Sequence, residues 1–230
     1  MVSVTSTKAE ILGLLCAEGN YRGYVDIYFN KDYRRRKIYL RERWKEIIEF
    51  SNTHVFLLEH FQHLLEKEYN YRPNITKSNN NVFRVCITKV SVIRDILNYT
   101  NLGCLNWRIP EEVINSENDI KAAFTRGFFD GDGSVDFTKH GSLRVRFSSS
   151  NYAGLISLST LLNSINLHHN LNGPYLSSKK LPIYEILLST KSIPDFVDLV
   201  GSMHKAKNAR LQTFIAEGNA EVDSFLSSIA

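Results

Sequence analysis

Two stretches of the chain combine apolar bulk with small residues spaced four apart. They are Ile11-Leu12-Gly13-Leu14-Leu15-Cys16-Ala17-Glu18-Gly19 and Thr125-Arg126-Gly127-Phe128-Phe129-Asp130-Gly131-Asp132-Gly133. The spacing predicts helices over about 7–18 and 117–132. Thr7-Lys8-Ala9-Glu10 and Ser116-Glu117-Asn118-Asp119 read as their capping boxes, and Gly19 and Gly133 as the glycines that end them. Between the two helices the period changes. Val25, Ile27 and Phe29 alternate with Tyr24, Asp26, Tyr28 and Asn30, the pattern of a half-buried strand. Ile38, Leu40, Trp44, Glu46, Ile48 and Phe50 then alternate with Lys37, Tyr39, Arg41, Lys45, Ile47 and Glu49, which makes a long hairpin with a basic tip projecting from the body. Ser51-Asn52-Thr53 reads as the cap of an amphipathic helix to about Tyr69, with Val55, Leu58, Phe61, Leu64 and Leu65 as its stripe. A second hairpin, near Arg72 to Thr76 and Val82 to Thr88, turns at Ser78-Asn79-Asn80-Asn81, and a short helix follows from Ser91 to Tyr99.

The same order returns after the second motif. Val135, Phe137, Leu143, Val145 and Phe147 face inward against Asp136, Lys139, Arg144 and Arg146, and Ser148-Ser149-Ser150 caps a helix from about Asn151 to Ile165. A hairpin from about Asn170 to Leu188 turns at Ser177-Ser178-Lys179-Lys180. A helix then runs from Ser192 to Met203, with Pro194 in its first turn. The expected fold is therefore α+β, with two αββαββα copies at 1–110 and 111–230 and a linker from Asn101 to Pro110 that holds Trp107 and Arg108. The first copy is lengthened by the basic hairpin.

Gly13 with Ala17, and Gly127 with Gly131, each make a smooth stripe down one helical face, so the two motif helices can pack with their backbones nearly in contact. That contact sets Glu18 beside Asp132 at two helix C-termini, whose carbonyls carry partial negative charge. Such a cluster is costly without a cation, and hard divalent cations prefer oxygen ligands. Glu18 and Asp132, with the helix-end residues Ala17 and Gly131, are the candidate metal site.

The two motifs resemble those of monomeric LAGLIDADG homing endonucleases, through Leu14-Leu15-Cys16-Ala17-Glu18-Gly19 and Phe128-Phe129-Asp130-Gly131-Asp132-Gly133. The resemblance implies two antiparallel sheets fused into a saddle over DNA, with the motif helices at the interface. It also implies a staggered double-strand cut at a long target, made by Mg²⁺-dependent hydrolysis. Mn²⁺ is expected to substitute, and Ca²⁺ to bind without supporting cleavage. Cys16 departs from the family's frequent acid, which Asp130 supplies in the second copy. Asn52 and Ser149 take the polar supporting role by place in the fold. Lys205 takes the basic one, with Arg108 its counterpart in the first copy and Lys89 and Lys191 as rivals. The DNA-facing set is Tyr28, Arg34, Arg35, Arg36, Lys37, Arg41, Arg43, Arg84, Lys139, Arg144, Arg146 and Lys179.

Composition changes this picture only in emphasis. The 230 residues are 43% hydrophobic and 23% charged with a net charge of +4, and no run approaches transmembrane length. Lys31 to Lys45 holds eight basic residues against Asp32 and Glu42, so the rest of the chain is slightly acidic and the charge favours a polyanion contact. Cys16, Cys86 and Cys104 form no CxxC pair and read as thiols of a reducing, intracellular compartment. GxSxG, HExxH and GxxxxGK[ST] are absent, and His60 with His63 lacks a third ligand. Asp130 to Asp136 fails as a calcium loop, because position twelve is Gly141. The expected partner is duplex DNA, bound by a monomer, with intron RNA possible and no membrane. The first methionine and the lack of splicing segments favour a free-standing or intron-encoded chain over an intein. An RNA maturase or a silent DNA-binding regulator on the same fold is the alternative.

Overall fold

Helix α1 (Ser6–Glu18) is buried on every side from Lys8 to Cys16, with Ile11, Leu12, Leu14 and Leu15 fully enclosed. A helix of that kind belongs inside a molecule, and here it packs along α5 (Asn118–Asp132). The small residues permit this. A Cβ at Gly13 would strike the Phe124 carbonyl, one at Gly127 the Glu10 carbonyl, and one at Gly131 the Ala17 Cβ. In the computed structural model, residues 4–32, 37–78, 81–139, 142–176 and 181–216 are described. Arg34, Arg35, Arg36 and Lys179 lie outside them, and so does the side chain of Lys37.

From α1 the chain runs straight into β1 (Gly19–Asp32) and β2 (Lys37–Asn52). Then come α2 (Val55–Tyr69), β3 (Ile75–Lys77), β4 (Phe83–Ile87) and α3 (Val90–Tyr99). After the linker and the short α4 (Glu111–Ile114), α5 leads into β5 (Gly133–Phe137), β6 (Leu143–Ser149), α6 (Tyr152–Ser164), β7 (His169–Leu176), β8 (Pro182–Leu188) and α7 (Ile193–Leu199). Residues 205–216 form a last helix, α8. The sheets are antiparallel, ordered β1-β2-β4-β3 and β5-β6-β8-β7. Each buries one face beneath helices, through Ile48, Phe50, Val85 and Ile87 in the first and Leu143, Val145, Phe147 and Ile186 in the second. Phe50 stacks on Phe61 at 4.5 Å, and Phe129 lies between Phe147 and Phe196 at 5.3 and 4.9 Å. Among the described residues no helix covers the opposite, polar faces.

Several local expectations are corrected. Thr5, not Thr7, caps α1 by accepting from the Lys8 N–H, and Ser116 Oγ donates to the Val113 carbonyl while Glu117 is the N-cap of α5. Glu10 closes no capping box. It is buried between His60 at 2.6 Å and Arg126 at 2.7 Å, tying α2 and α5 to α1. Gly19 and Gly133 are extended rather than left-handed, and are required because a Cβ would collide with Leu15 and Phe129. Ser51 and Asn52 belong to β2, so α2 starts later, at Val55. The Ser192–Met203 helix is a 3-10 turn (Thr190–Ser192) followed by α7.

The long hairpin is not half-buried. Val25, Ile27, Phe29, Ile38, Leu40 and Trp44 share one face in register, yet all are exposed, Phe29 to 75%. Among the described residues the covering helices reach no farther along β2 than Glu46, which pairs with Arg94, so the ribbon beyond is exposed. Its other face carries Tyr24, Asp26, Tyr28, Tyr39, Arg41, Arg43 and Lys45.

Candidate active site

The crossing of α1 and α5 decides where the acids go. Glu18 and Asp132 are the last residues of their helices, and a Cβ at Gly131 would sit 3.2 Å from Glu18 Cγ, so the two carboxylate side chains converge. Burial pushes the Asp132 carboxyl up to about 7, and the charge of Glu18 acts in the same direction while Lys207 opposes both. Burial also raises Glu18, again against Lys207. Two buried acids, with the charge of Glu18 opposing the ionisation of Asp132, are a fit for a divalent cation, whose charge removes the conflict. Among the described residues no group of three or more His, Cys, Asp or Glu side chains could hold a metal, so the remaining ligands would be main-chain, water or substrate oxygens. Ala17 and Gly131 contribute the close approach itself.

Asn52 and Ser149 end β2 and β6 beside these acids. Asn52 Nδ2 donates to Glu18 Oε1 at 3.4 Å, and Asn52 Oδ1 accepts from the His54 N–H at 2.9 Å. Ser149 lines a cavity of about 250 Å³ with Ala17, Asp132 and Trp107, and its Oγ accepts from Trp107 Nε1 at 3.4 Å and from the Asn151 N–H at 3.1 Å. Trp107 comes from the linker and is buried against Phe128 and Gly154, while Asn151 Nδ2 donates to its carbonyl at 2.7 Å. The first copy's linker thus braces the second copy's polar group.

The basic residue beside the acids is Lys207, not Lys205. Lys207 Nζ donates to the carbonyls of Phe129 at 2.6 Å and Asp130 at 2.9 Å. Burial lowers it to about 8, against the charges of Asp130, Asp132 and Glu18. Lys205 is exposed, with Nζ 5.7 Å from the Phe56 ring. Helical periodicity held the signal: Lys207 lies four residues before Leu211, which is fully buried, whereas Lys205 is four before exposed Ala209. Arg108 is also displaced. Its backbone is tied to Thr100 and its side chain is exposed, outside the cavity of Asp132. Lys89 lies over Tyr71, and Lys191 is exposed on the 3-10 turn.

Asp130 is structural. Its carboxylate accepts from Ser202 Oγ at 2.5 Å, the Met203 N–H at 2.9 Å and the His204 N–H at 3.3 Å, which positions the start of α8 and with it Lys207. Cys16 holds the matching place in α1, 3.5 Å from Thr100 Oγ1, and burial pushes its thiol up to about 12. His204 packs edge-on against His54 at 4.4 Å and is lowered to about 4 by burial, with Lys207 and His54 contributing.

On the open faces, Tyr28 pairs with Arg41 and Asp26 with Arg43 across the ribbon. Arg84, Arg144 and Arg146 lie on the polar faces of their sheets in ion pairs with Glu49, Asp136 and Glu185, and Lys139 is exposed beyond β5.

Comparison with known proteins places this arrangement. The LAGLIDADG-like domain family model matches residues 119–201. A DNA polymerase of Methanocaldococcus jannaschii is 25% identical over 220 residues, covering 91% of this chain and 12% of the polymerase. A DNA polymerase of Thermococcus hydrothermalis is 26% identical over 166 residues, covering 72% and 9%. The chain thus spans only a small part of the curated relatives it matches. Among solved structures, I-DmoI in complex with DNA and Ca superposes with a TM-score of 0.62 at 16% identity, over 92% of this chain and all of that one. The I-LtrWI LAGLIDADG homing endonuclease bound to target DNA gives 0.59 at 14% identity, over 94% and 92%. The chain has the fold of the two-motif LAGLIDADG homing endonucleases, and its residues 119–201 match the LAGLIDADG-like domain model.

Proposed function

We propose that this chain is a site-specific DNA endonuclease that cuts both strands of a long duplex target by divalent-metal-dependent hydrolysis, leaving a stagger. The observation that carries the reading is the convergence of Glu18 and Asp132 at the crossing of two glycine-faced helices, between two open polar sheet faces. The neighbouring structures with bound DNA and with Mn, Mg or Ca support it. Residues 1–110 and 111–230 are read as the two repeats acting as one monomer, inside the cell.

Glu18 and Asp132, with main-chain oxygens near Ala17 and Gly131, would hold Mg²⁺, or Mn²⁺ in its place, which supplies an activated water and charge neutralisation at the phosphate. Asn52 orients the Glu18 carboxylate, and Ser149 offers a hydroxyl in the cavity of Asp132. Lys207 holds a positive charge beside both acids. With its value lowered to about 8, it can keep or release a proton near neutral pH as the leaving 3′ oxygen develops charge. The ribbon face bearing Tyr28, Arg41 and Arg43 suits a major groove. At roughly 3.3 Å per residue, the 14 residues of β1 extend about 45 Å.

The polymerase relatives favour one change to the expected genetic setting. Both match this chain along a minor part of their length, which fits a nuclease module carried inside a host protein in an intein-like context at least as well as intron encoding.

The test is incubation of the purified chain with a randomised duplex library, in Mg²⁺ and separately in Ca²⁺, followed by sequencing of new ends. A single long site cut in Mg²⁺ only, with cutting abolished and binding kept in Glu18→Gln and Asp132→Asn, is the expected result. Undiminished cutting by both variants refutes the proposal.

A further inference from the structure

Three positions across each open sheet face are filled with opposite charge in the two copies. The ladders establish the equivalence. Gly19 pairs with Phe50 as Gly133 pairs with Phe147, and Glu49 pairs with Cys86 as Arg146 pairs with Leu187. Arg22, Glu49 and Arg84 in the first copy therefore correspond to Asp136, Arg146 and Glu185 in the second. Their contacts correspond too. Glu49 Oε2 accepts from Arg22 at 2.9 Å and from Arg84 at 3.5 Å, while Arg146 donates to Asp136 at 3.1 Å and to Glu185 at 3.3 Å. Hydroxyls at matching places reach whichever member is the acid: Ser51 Oγ donates to the inner Glu49 at 3.2 Å and Ser148 Oγ to the outer Glu185 at 3.4 Å. One triad reads plus, minus, plus; the other reads minus, plus, minus.

The outer members stay within reach of a ligand: the side chains of Arg22 and Arg84 are 52% and 38% exposed, and those of Asp136 and Glu185 31% and 22%. Major-groove base edges offer complementary partners for both triads. Guanine presents N7 and O6 to an arginine, whereas cytosine N4 and adenine N6 donate to a carboxylate.

Resting on the proposed DNA-cutting function, we infer that this charge-inverted triad gives the two half-sites of the target opposite base preferences at matched positions. Glu49 and Arg146 are the inner members that hold the outer ones in place. Arg22 and Arg84 select guanine in one half-site, and Asp136 and Glu185 select cytosine or adenine edges in the other. Each triad begins four residues along its strand from the motif acid, about 13 Å, which is roughly four base-pair steps from the cut.

The experiment exchanges the charges of the first triad, where the facing residue Ile47 is uncharged: Arg22→Asp with Glu49→Arg and Arg84→Glu. Wild type and variant are each used to select bound duplexes from a randomised library in Ca²⁺, with melting curves recorded for both. Wild type is expected to return a site that differs between halves at these positions. The variant is expected to return one in which the first half adopts the bases of the second, with roughly a ten- to hundredfold change in preference there and none elsewhere. Wild type selecting a site while the folded variant selects the same bases overturns the inference alone. Wild type selecting no duplex overturns the proposed function beneath it. Should the triple variant fail to fold, Arg84→Gln decides: lost discrimination at one position supports the inference, and unchanged discrimination overturns it.

Discussion

Asp132→Asn is expected to make the metal-free protein more stable. In the unfolded chain the carboxyl titrates near 3.8; in the folded one burial and the charge of Glu18 raise it to about 7. Between these values the folded state binds more protons than the unfolded state, so stability falls as pH rises through the window and levels off above it. A shift of about three units corresponds to about 4 kcal/mol, fully present above pH 7 and absent below pH 4. Asparagine keeps the shape and carries no charge, so the variant escapes this cost. At a few degrees per kcal/mol for a chain of this size, its melting temperature in EDTA at pH 8 should exceed that of wild type by roughly 10 °C. The advantage should shrink towards pH 4. Adding Mg²⁺ or Ca²⁺ should raise the wild-type melting temperature and leave that of the variant nearly unchanged, because only the ionised pair binds the cation. Differential scanning fluorimetry over pH 4–8.5, with and without the ion, measures all of this. A variant no more stable than wild type at pH 8 in EDTA would falsify the electrostatic account of the site.

Three further expectations follow from particular contacts. Lys207→Met should reduce single-turnover cleavage by roughly 10² or more while Lys205→Met changes it little, since only Lys207 reaches the acids; equal effects would show that the wrong lysine has been assigned. Gly127→Ala places a methyl against the Glu10 carbonyl and the Leu14 N–H, so chemical denaturation should record a loss of at least about 1–3 kcal/mol, together with weaker cleavage as the acids separate. Arg126→Met leaves Glu10 buried with His60 alone, and should cost about 3–5 kcal/mol by the same measurement, more at high pH than at low pH where Glu10 can protonate.

Much of the architecture was legible in one dimension because its causes are local. Alternation in Val135 to Phe147 and the stripe of Leu58, Phe61 and Leu65 are set by strand and helix periods, and both elements occur where those periods place them. The recurrence of a small-residue stripe ending in an acid was enough to bring Glu18 to Asp132, since a glycine-faced pair of helices has few other ways to pack. What depends on which surfaces meet was not legible. Alternation in the long hairpin separates two faces but says nothing of whether a helix covers either, and among the described residues no helix covers the apolar face of Val25, Ile27 and Phe29. Lys205 and Lys207 differ in helical phase, Lys207 sharing the face of Leu211, but only the seating of α8 through Leu211 and the anchor at Asp130 turns that face towards the acids. Trp107 reads as a linker residue, and only the packing of that linker onto Gly154 brings its indole to Ser149. Composition and period thus determined the two repeats and their acids, because chain-local physics dictates them. Tertiary packing alone decided that the Lys207 face of α8 turns towards those acids and that Trp107 braces Ser149, because burial and approach depend on residues far apart in the chain.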